Sequence, residues 1–401
     1  MRKSRDEELI GKRMLRFTQF LVKAGRVKMG NASITQYVPM IREVSIDNFK
    51  GIKHCEIKDL GEVNLFIGKN SCGKSAIMEA IYFTGKEFIG ANLPLCIIRR
   101  ANRGNYSARE LWYGYDMMTS EVQVRMQFVE EDLAGMRIQF VEQNRRIREF
   151  LLSGALGTAR EDLVRDYNPA SFSHAAQHRE PPLHTNHSTE IRRYFDRSVL
   201  IDPTVKTEVR QIEGNYLNKL KLLEADSTDL AKRTAEIYDT KPSWEFLPHP
   251  DFPPDNPSRF AILEGNRRLF FDNFGDGLHY GLAVLAVAKT RTNTALFIEE
   301  IESHQHPEAI GKLISNLVEI ARMNNLQLFI TTHNRIVWSF FEKEFETEDA
   351  RQKLLRVYRV VRNGETGVVE CIPQTKENAD EFWSAVDKEL YGPVHSNQEI
   401  E

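Results

Sequence analysis

The chain contains the octapeptide Gly68-Lys69-Asn70-Ser71-Cys72-Gly73-Lys74-Ser75, which matches the pattern G-x-x-x-x-G-K-[ST] at every defined position. An apolar run, Val63–Ile67, precedes it, and helix-forming residues 76–81 follow it. This strand–loop–helix context separates a phosphate-binding loop from a chance match. The two glycines let the backbone curl so that successive N–H groups point inward, and the start of the helix adds partial positive charge. The octapeptide therefore predicts a site for a nucleoside triphosphate.

Two side chains of the octapeptide carry specific roles in this prediction. Lys74 is expected to reach the β- and γ-phosphates, and the Ser75 hydroxyl is expected to ligate Mg²⁺. The other residues, from Gly68 to Gly73, are expected to surround the phosphates with backbone N–H groups. ATP and Mg²⁺ are therefore the predicted cofactors.

Length and composition set the limits for the rest of the chain. Its 401 residues carry a formal net charge of −3, so the overall charge gives no indication of nucleic-acid binding. Four cysteines, Cys55, Cys72, Cys96 and Cys371, lie far apart with no C-x-x-C spacing, which favours a reducing compartment. No apolar run approaches the roughly 18 residues that span a bilayer. We therefore expect a cytoplasmic protein without membrane contact.

The pattern of apolar and polar residues predicts an α/β fold. It divides the chain into a basic N-terminal extension (1–39), a β-rich segment with the phosphate loop (40–141), a mainly helical insertion (142–258) and a second α/β segment (259–401). Alternating residues over 121–128 and 136–141 predict a β-hairpin. Helix is expected over 142–165 and again over 379–390.

Two acids follow a second buried strand. Residues 295–298 are apolar, and Glu299 and Glu300 come directly after them, as in a Walker B element. The carboxyl ends of parallel strands meet at one edge of a sheet, beside a phosphate loop. Glu299 is expected to hold Mg²⁺ and Glu300 to act as general base on the attacking water. The alternative is an ordinary strand that ends in surface acids.

A third apolar strand, over 326–330, ends in Thr331-Thr332-His333. A histidine at this edge can hydrogen-bond the γ-phosphate or the attacking water, although a lone histidine is more often structural. Its place one strand beyond the paired acids makes His333 a candidate catalytic residue.

The segment Gly275-Asp276-Gly277 opens an apolar helix about twenty residues before the acids. A self-contained phosphate-loop enzyme needs nothing at this place, whereas an ABC-type ATPase needs a glycine-containing signature there to close over the γ-phosphate of the opposite subunit. On its own such a segment is a weak signal, because it is commonly a helix N-cap turn.

Taken together, these segments resemble the OLD-type AAA ATPases, which are ABC-class relatives of the SMC and recombination-repair ATPases. The resemblance rests on six segments in order: 46–51, 68–75, 275–278, 297–302, His306-Pro307 and 331–334. It covers about residues 40–131 and 259–375, and residues between them are not recognisable.

The resemblance implies an ABC-type ATPase head that forms a homodimer or a larger oligomer, with two ATP molecules held between signature and phosphate loop. Gly275, Asp276 and Gly277 would then contact nucleotide. Lys50 resembles a basic residue after the first strand that touches a phosphate, and His306 resembles the histidine of a His-Pro turn at the dimer interface.

The chain departs from the family pattern at several positions. Glu299 stands where many relatives have Asp, Ile301 where proline is common, and Asn334 where serine is usual. Gln123 and Gln127 are undistinguished candidates for a glutamine lid. Only residues 334–401 follow His333, so a Toprim nuclease domain of the OLD type is not expected.

Three readings of the output stay open. The ATPase could act on DNA or drive a partner; it could be a nucleotide-sensing scaffold for a separately encoded effector; or it could be a GTP-binding switch. The absence of an Asn-Lys-x-Asp element disfavours the third reading.

Overall fold

The computed structural model describes residues 40–88, 111, 113–116, 119–129, 133–143, 146–156, 159–166, 188–204, 216, 224–247, 259–264, 267–345 and 354–375. The predicted extension 1–39, the predicted helix 379–390 and Cys96 lie outside these residues.

The strands are β1 (Ile41–Phe49), β2 (Ile52–Ile57), β3 (Val63–Ile67), β4 (Val122–Phe128), β5 (Leu133–Gln143), β6 (Arg146–Leu156), β7 (Ala159–Asp166), β8 (Val199–Ile201), β9 (Trp244–Leu247), β10 (Arg259–Glu264), β11 (Arg267–Phe270), β12 (Thr294–Ile298), β13 (Leu326–Thr332), β14 (Leu355–Arg362) and β15 (Val369–Gln374). The helices are α1 (Lys74–Phe88), α2 (Ser188–Arg197), α3 (Glu224–Tyr238), α4 (Asp276–Thr290), α5 (Pro307–Asn324) and α6 (Arg335–Glu344).

A six-stranded sheet in the order β15-β14-β3-β13-β12-β8 forms the centre. All of its strands run parallel except β15, which is antiparallel to β14. The Asn363-Gly364 pair that precedes β15 lies between these two antiparallel strands, as a hairpin turn does. The three strands that precede the phosphate loop, the paired acids and His333 are thus near neighbours, and they end at one edge of the sheet.

The central strands are buried on both faces, which explains their continuous apolar sequence. Alternate residues enter two separate cores. In β12, for example, Leu296 and Ile298 pack in the core that includes α4 and α5, whereas Ala295 and Phe297 pack in the core that includes α1 and β1. The sheet is therefore covered on both faces by α1 on one side and α4 and α5 on the other, and its loop edge remains as the place for a site.

A second sheet, in the order β2-β1-β4-β5-β6-β7, is wholly antiparallel. Its β4–β5 pair confirms the predicted hairpin. The prediction of helix over 142–165 is wrong, because β6 and β7 occupy most of this range and pair along their length, for example Leu151 with Val164. Arg, Glu and Leu favour helix locally, but β5 offers β6 a paired edge, and such tertiary pairing overrides a weak propensity.

The middle segment 142–258 is built into the rest of the fold. The expected boundary at residue 142 falls inside β5, and β8 is the edge strand of the central sheet, beside β12. Within its described part, helices α2 and α3 alternate with strands rather than forming a mainly helical insertion. A further small sheet, in the order β11-β10-β9, joins this segment to the residues before α4.

Two cysteines that are far apart in sequence lie together in the fold. The Sγ atoms of Cys55 on β2 and Cys371 on β15 are 3.8 Å apart, and both residues are free thiols. The hydrogen bond between the two thiols, and then burial, raise the pKa of Cys371 well above its ordinary value.

Among the helices of the described residues, none combines the length and the apolar character that crossing a membrane requires.

Candidate nucleotide-binding site

The phosphate loop joins the buried strand β3 to α1, which begins at Lys74. Within the loop, Ser71 and Gly73 take left-handed φ angles of 63° and 112°. A Cβ atom at Gly68 would lie 2.5 Å from the Val360 carbonyl oxygen, so only glycine fits against β14 at this point. The two glycines of the motif therefore serve different needs: Gly68 permits close packing and Gly73 permits the turn.

Lys74 closes the loop on itself. Its side chain is buried, and Nζ donates hydrogen bonds of 2.7 Å to the carbonyl oxygens of both Gly68 and Lys69. The ammonium group is thereby held beside the loop that would surround the phosphates. This placement agrees with its expected role as the cation for the phosphate groups.

The two predicted metal ligands meet across the sheet. The Ser75 hydroxyl, on α1, donates a 2.8 Å hydrogen bond to Oε2 of Glu299, which follows β12. Glu299 is only 4% exposed, and its backbone N–H donates to the carbonyl of Ile201 on β8. Two oxygen ligands at 2.0–2.1 Å from an octahedral Mg²⁺ lie about 2.9 Å apart, close to the distance observed here. The hydroxyl and carboxylate therefore fit a shared Mg²⁺ ion in both chemistry and spacing.

Glu300 sits in a strained backbone position beside this pair. Its φ angle is 45°, in the left-handed region, and its N–H donates to the Thr331 hydroxyl oxygen at 3.0 Å. The carboxylate accepts a 3.3 Å hydrogen bond from the Ser303 hydroxyl. Strain of this kind persists only where surrounding contacts enforce it, and it is frequent at functional sites.

His333 lies at the end of β13 with its side chain 45% exposed. Its backbone N–H donates to Oε1 of Glu302 at 3.0 Å, and its Nδ1 atom lies 3.2 Å from the same oxygen. The neighbouring Thr332 hydroxyl also donates to this oxygen, at 2.7 Å. Glu302 had no expected role, although it stands in the same acidic run as Glu299 and Glu300.

The charges of four carboxylates act on one buried hydroxyl at this edge. Tyr280, on α4, donates a 2.5 Å hydrogen bond to the Glu299 carbonyl. Burial, and then the charges of Glu302, Glu299, Asp202 and Glu300, raise the pKa of the Tyr280 hydroxyl well above its ordinary value. The accumulated negative charge is the setting in which a divalent cation binds favourably.

Asp202 is a further residue that sequence reasoning missed. It follows the edge strand β8, is fully buried, and accepts hydrogen bonds from the backbone N–H and hydroxyl of Thr204. Nothing in its local sequence marks it, because its place beside Glu299 depends on β8 pairing with β12.

The predicted signature segment opens α4, with Gly275 as the N-cap and Asp276 and Gly277 in the first turn. The Gly277 carbonyl accepts from Gln305 Nε2 at 2.6 Å and from the Tyr238 hydroxyl at 3.1 Å. A Cβ atom at Gly277 would lie 2.3 Å from the His304 carbonyl oxygen. Within one chain, then, Gly277 packs against the loop that follows the paired acids.

Lys50 and His306, which the family resemblance had singled out, occupy more peripheral places. Lys50 forms a 2.6 Å ion pair with Glu79, a buried residue of α1. His306 is the exposed N-cap of α5, where its Nδ1 accepts from the N–H of Glu308 at 3.4 Å. The structure therefore gives Lys50 a carboxylate partner on the helix that follows the phosphate loop.

The two glutamines considered for a lid lie on β4. Gln123 Nε2 donates to Glu121, and Gln123 Oε1 accepts from Arg125, both at the surface of that strand. Gln127 pairs in register with Glu43 of β1 and with Leu133 of β5.

Several known proteins are similar to this chain over parts of its length. A family model described as an AAA ATPase domain matches residues 40–132 and 279–337, which include the phosphate loop, both acids and His333. An "ATP/GTP phosphatase" of Helicobacter pylori is 21% identical over 329 residues, covering 74% of this chain and 86% of that protein. An uncharacterised protein of Methanocaldococcus jannaschii, MJECL10, is 30% identical over 109 residues, which are 26% of this chain and 49% of that protein.

Among solved structures, the fold is similar to an SMC head bound to the C-winged helix domain of ScpA. The TM-score is 0.51 and the sequence identity 15%, over 84% of this chain and 99% of that one. The comparisons do not separate the OLD type from other members of the class. The chain has the α/β fold of an SMC head, and its matched segments are similar to an AAA ATPase domain.

Proposed function

We propose that this protein is a Mg²⁺-dependent ATPase whose head dimerises around ATP. The single observation that carries the proposal is the contact between Ser75 and Glu299. A phosphate-loop hydroxyl and a Walker B carboxylate come from separate strands of the sheet, yet they lie at the spacing of two ligands on one Mg²⁺ ion. Ser75 and Glu299 would hold Mg²⁺ there, and the ion would neutralise the charge that develops on the phosphates.

The residues of the chain divide the remaining work. Lys74 and the loop N–H groups bind the phosphates, and Glu299 and Ser75 hold the metal. Glu300 accepts a proton from the attacking water, and His333 donates a hydrogen bond to the γ-phosphate. These roles are assigned because Glu299, Glu300 and His333 all lie at the edge of the sheet that also carries the phosphate loop.

Within the ABC class, we assign the chain to the OLD type because the segments 297–302 and 331–334 resemble that type. Dimerisation follows from the signature segment: Gly275, Asp276 and Gly277 would close over the γ-phosphate held by the other subunit. A connection from this segment through Gly277 to the loop after Glu300 would let dimer closure and hydrolysis influence each other.

The second candidate is a nucleotide-sensing scaffold that controls a separately encoded effector. Action on DNA belongs to the first candidate. Rates of ATP hydrolysis with and without double-stranded DNA separate the two, since stimulation by DNA favours direct action. The name of the Helicobacter pylori relative mentions both ATP and GTP, so both nucleotides belong in the assay.

The experiment is phosphate release from ATP and from GTP, with Mg²⁺ and with EDTA, by the wild-type chain and by Ser75→Ala. We expect Mg²⁺-dependent release from ATP, and a loss of release in Ser75→Ala that excess Mg²⁺ partly restores. Release that is insensitive to EDTA, or unchanged in Ser75→Ala, contradicts the proposed metal site. Nucleotide binding without any turnover contradicts the ATPase and leaves the scaffold.

A further inference from the structure

We propose that Glu302 is the positioning residue for His333, setting the orientation of the imidazole and keeping its Nδ1–H directed at the carboxylate. Its importance for hydrolysis rests on the proposed function, whereas its effect on the imidazole itself does not. The residue lies two positions after the expected base, in the loop 299–305, which we call the acidic loop.

The first step is the convergence of donors on one oxygen. Oε1 of Glu302 accepts the Thr332 hydroxyl at 2.7 Å and the His333 backbone N–H at 3.0 Å, and it lies 3.2 Å from His333 Nδ1. One carboxylate oxygen therefore fixes both the backbone and the ring of His333. The Thr332 hydroxyl in turn accepts the backbone N–H of Asn334 at 2.9 Å, so the turn after β13 is held as a unit.

The second step is the rigidity of Glu302 itself. Its side chain is only 7% exposed. Its backbone carbonyl accepts from the N–H of Gln305 at 3.0 Å, within a turn that also closes from Ser303 to Glu300. Burial of the side chain and this backbone hydrogen bond restrict the movement of Glu302. The carboxylate therefore holds the His333 ring in one orientation.

The carboxylate of Glu302 places a negative charge in a buried position. The other oxygen of Glu302, Oε2, is buried and has no hydrogen-bond partner among the described residues. A buried carboxylate is costly unless a positive charge compensates it. With a proton on each ring nitrogen, the Nδ1–H of His333 faces this carboxylate, and the Nε2–H remains as a donor for a phosphate. A neutral imidazole that donates from Nδ1 has no proton at Nε2 and cannot donate to a phosphate there.

The fourth step is a division of labour between two acids. Glu300 accepts the Ser303 hydroxyl and takes its backbone support from Thr331, whereas Glu302 takes Thr332 and His333. The two hydroxyls of the Thr-Thr pair thus serve different acids. Glu300 is left to act on water, and Glu302 holds the group that faces the phosphate.

Nitrogen-15 spectra of the histidine rings test the positioning role without nucleotide. His333 is assigned by the signal that disappears in His333→Gln. We expect a proton on Nδ1 of His333 in the wild-type chain, and its loss in Glu302→Met, which keeps the side-chain length and removes the acceptor. An Nδ1 without a proton in the wild-type chain, or an unchanged signal in Glu302→Met, overturns the proposal. If Glu302→Met does not fold, Glu302→Gln replaces it, with a shifted Nδ1 signal as the expected result.

Kinetics test whether Glu302 acts through His333. Glu302→Gln should lower kcat roughly 10-fold, the equivalent of one charge-assisted hydrogen bond, with little change in KM. In a His333→Ala background the same substitution should change kcat less than about 2-fold, because the partner is already gone. Glu319→Gln, an exposed acid on α5 paired with Arg233, is the matched control and should leave the rate unchanged.

An equal loss in both backgrounds would show that Glu302 only holds the loop, and it would overturn the role through His333. A chain that hydrolyses no nucleotide, yet shows the Glu302-dependent imidazole signal, contradicts the proposed ATPase and not the positioning of His333.

Discussion

The phosphate loop and the acidic loop lie side by side, but they are held in different ways. In the phosphate loop, Lys74 bonds to the carbonyls of Gly68 and Lys69, a few residues earlier in the same motif. The acidic loop depends on side chains from other elements, among them Tyr280 on α4 and Tyr238 on α3. The hydrogen bonds of Lys74 thus lie within its own motif, whereas the acidic loop takes its shape where several elements converge.

This difference predicts how each loop responds to substitution. Loss of the Lys74 side chain should remove nucleotide binding and leave the rest of the fold intact. Changes around the acidic loop should alter turnover, stability or both, because the same contacts that place the catalytic groups also join helices to the sheet.

The largest effect is expected at Glu300. Glu300→Gln keeps the size and hydrogen bonding of the side chain but removes the base, so hydrolysis should fall roughly 10²–10⁴-fold while ATP binding survives. The unhydrolysed ATP should then hold two heads together. Sedimentation with ATP and Mg²⁺ should show a species of twice the mass of the nucleotide-free unit.

Normal hydrolysis and unchanged association in Glu300→Gln would show that both the base assignment and the shared-site mechanism are wrong. Glu319→Gln serves again as the control, because it makes the same chemical change on the exposed surface of α5.

A smaller effect, confined to binding, is expected at Lys74. Lys74→Ala removes the ammonium group that is expected to contact the phosphates, together with its two hydrogen bonds to the loop. ATP affinity measured by calorimetry should therefore fall at least about 100-fold. The melting temperature should change little, since the described hydrogen bonds of this side chain stay within the loop. Lys69→Ala is the comparison, because the exposed Lys69 is expected to contribute only its backbone. Unchanged affinity in Lys74→Ala would refute the phosphate-loop assignment.

The two signature glycines offer a matched pair on one helix turn. Gly277→Ala forces a Cβ atom against the His304 carbonyl, and overpacking of this kind should cost about 1–3 kcal/mol of unfolding free energy. Gly275→Ala meets nothing within 4 Å and should cost less than about 1 kcal/mol. Denaturant unfolding measures both. A bulky residue at Gly277 should therefore disturb the acidic loop of the same chain, whether or not it also blocks dimer formation. Equal stabilities of the two variants would contradict this packing.

The smallest effect is expected at Tyr238, which connects α3 to the signature and the acidic loop. Tyr238→Phe loses hydrogen bonds to the Gly277 carbonyl and to Gln305 Oε1, each about 3.0 Å long. The expected cost is about 1 kcal/mol of unfolding free energy, because Gln305 still donates to the same carbonyl. Tyr115→Phe, at a residue that is 66% exposed, should cost nothing measurable. A loss as large as that of Gly277→Ala would mean that α3 anchors the whole edge.

Sequence patterns predicted some elements well and failed on others for physical reasons. Continuous apolar runs identified β3, β12 and β13 because strands of a parallel sheet are buried on both faces. Residues 142–165 were predicted as helix because their local composition favours it, and only pairing with β5 makes them strands. The β4–β5 hairpin was predictable because apolar residues recur at every second position in each strand, which places them on one face of the sheet.

By itself, the sequence determined the phosphate loop, since its glycines, lysine and serine lie in one contiguous motif and act at fixed spacing. It also identified Glu299, Glu300 and His333 as residues that directly follow buried strands. Only the tertiary structure decided that Ser75 meets Glu299, that Glu302 holds His333, and that Asp202 joins the same edge. The reason is the order of strands: a parallel sheet brings the ends of distant segments together, and no local pattern records which strand lies beside which.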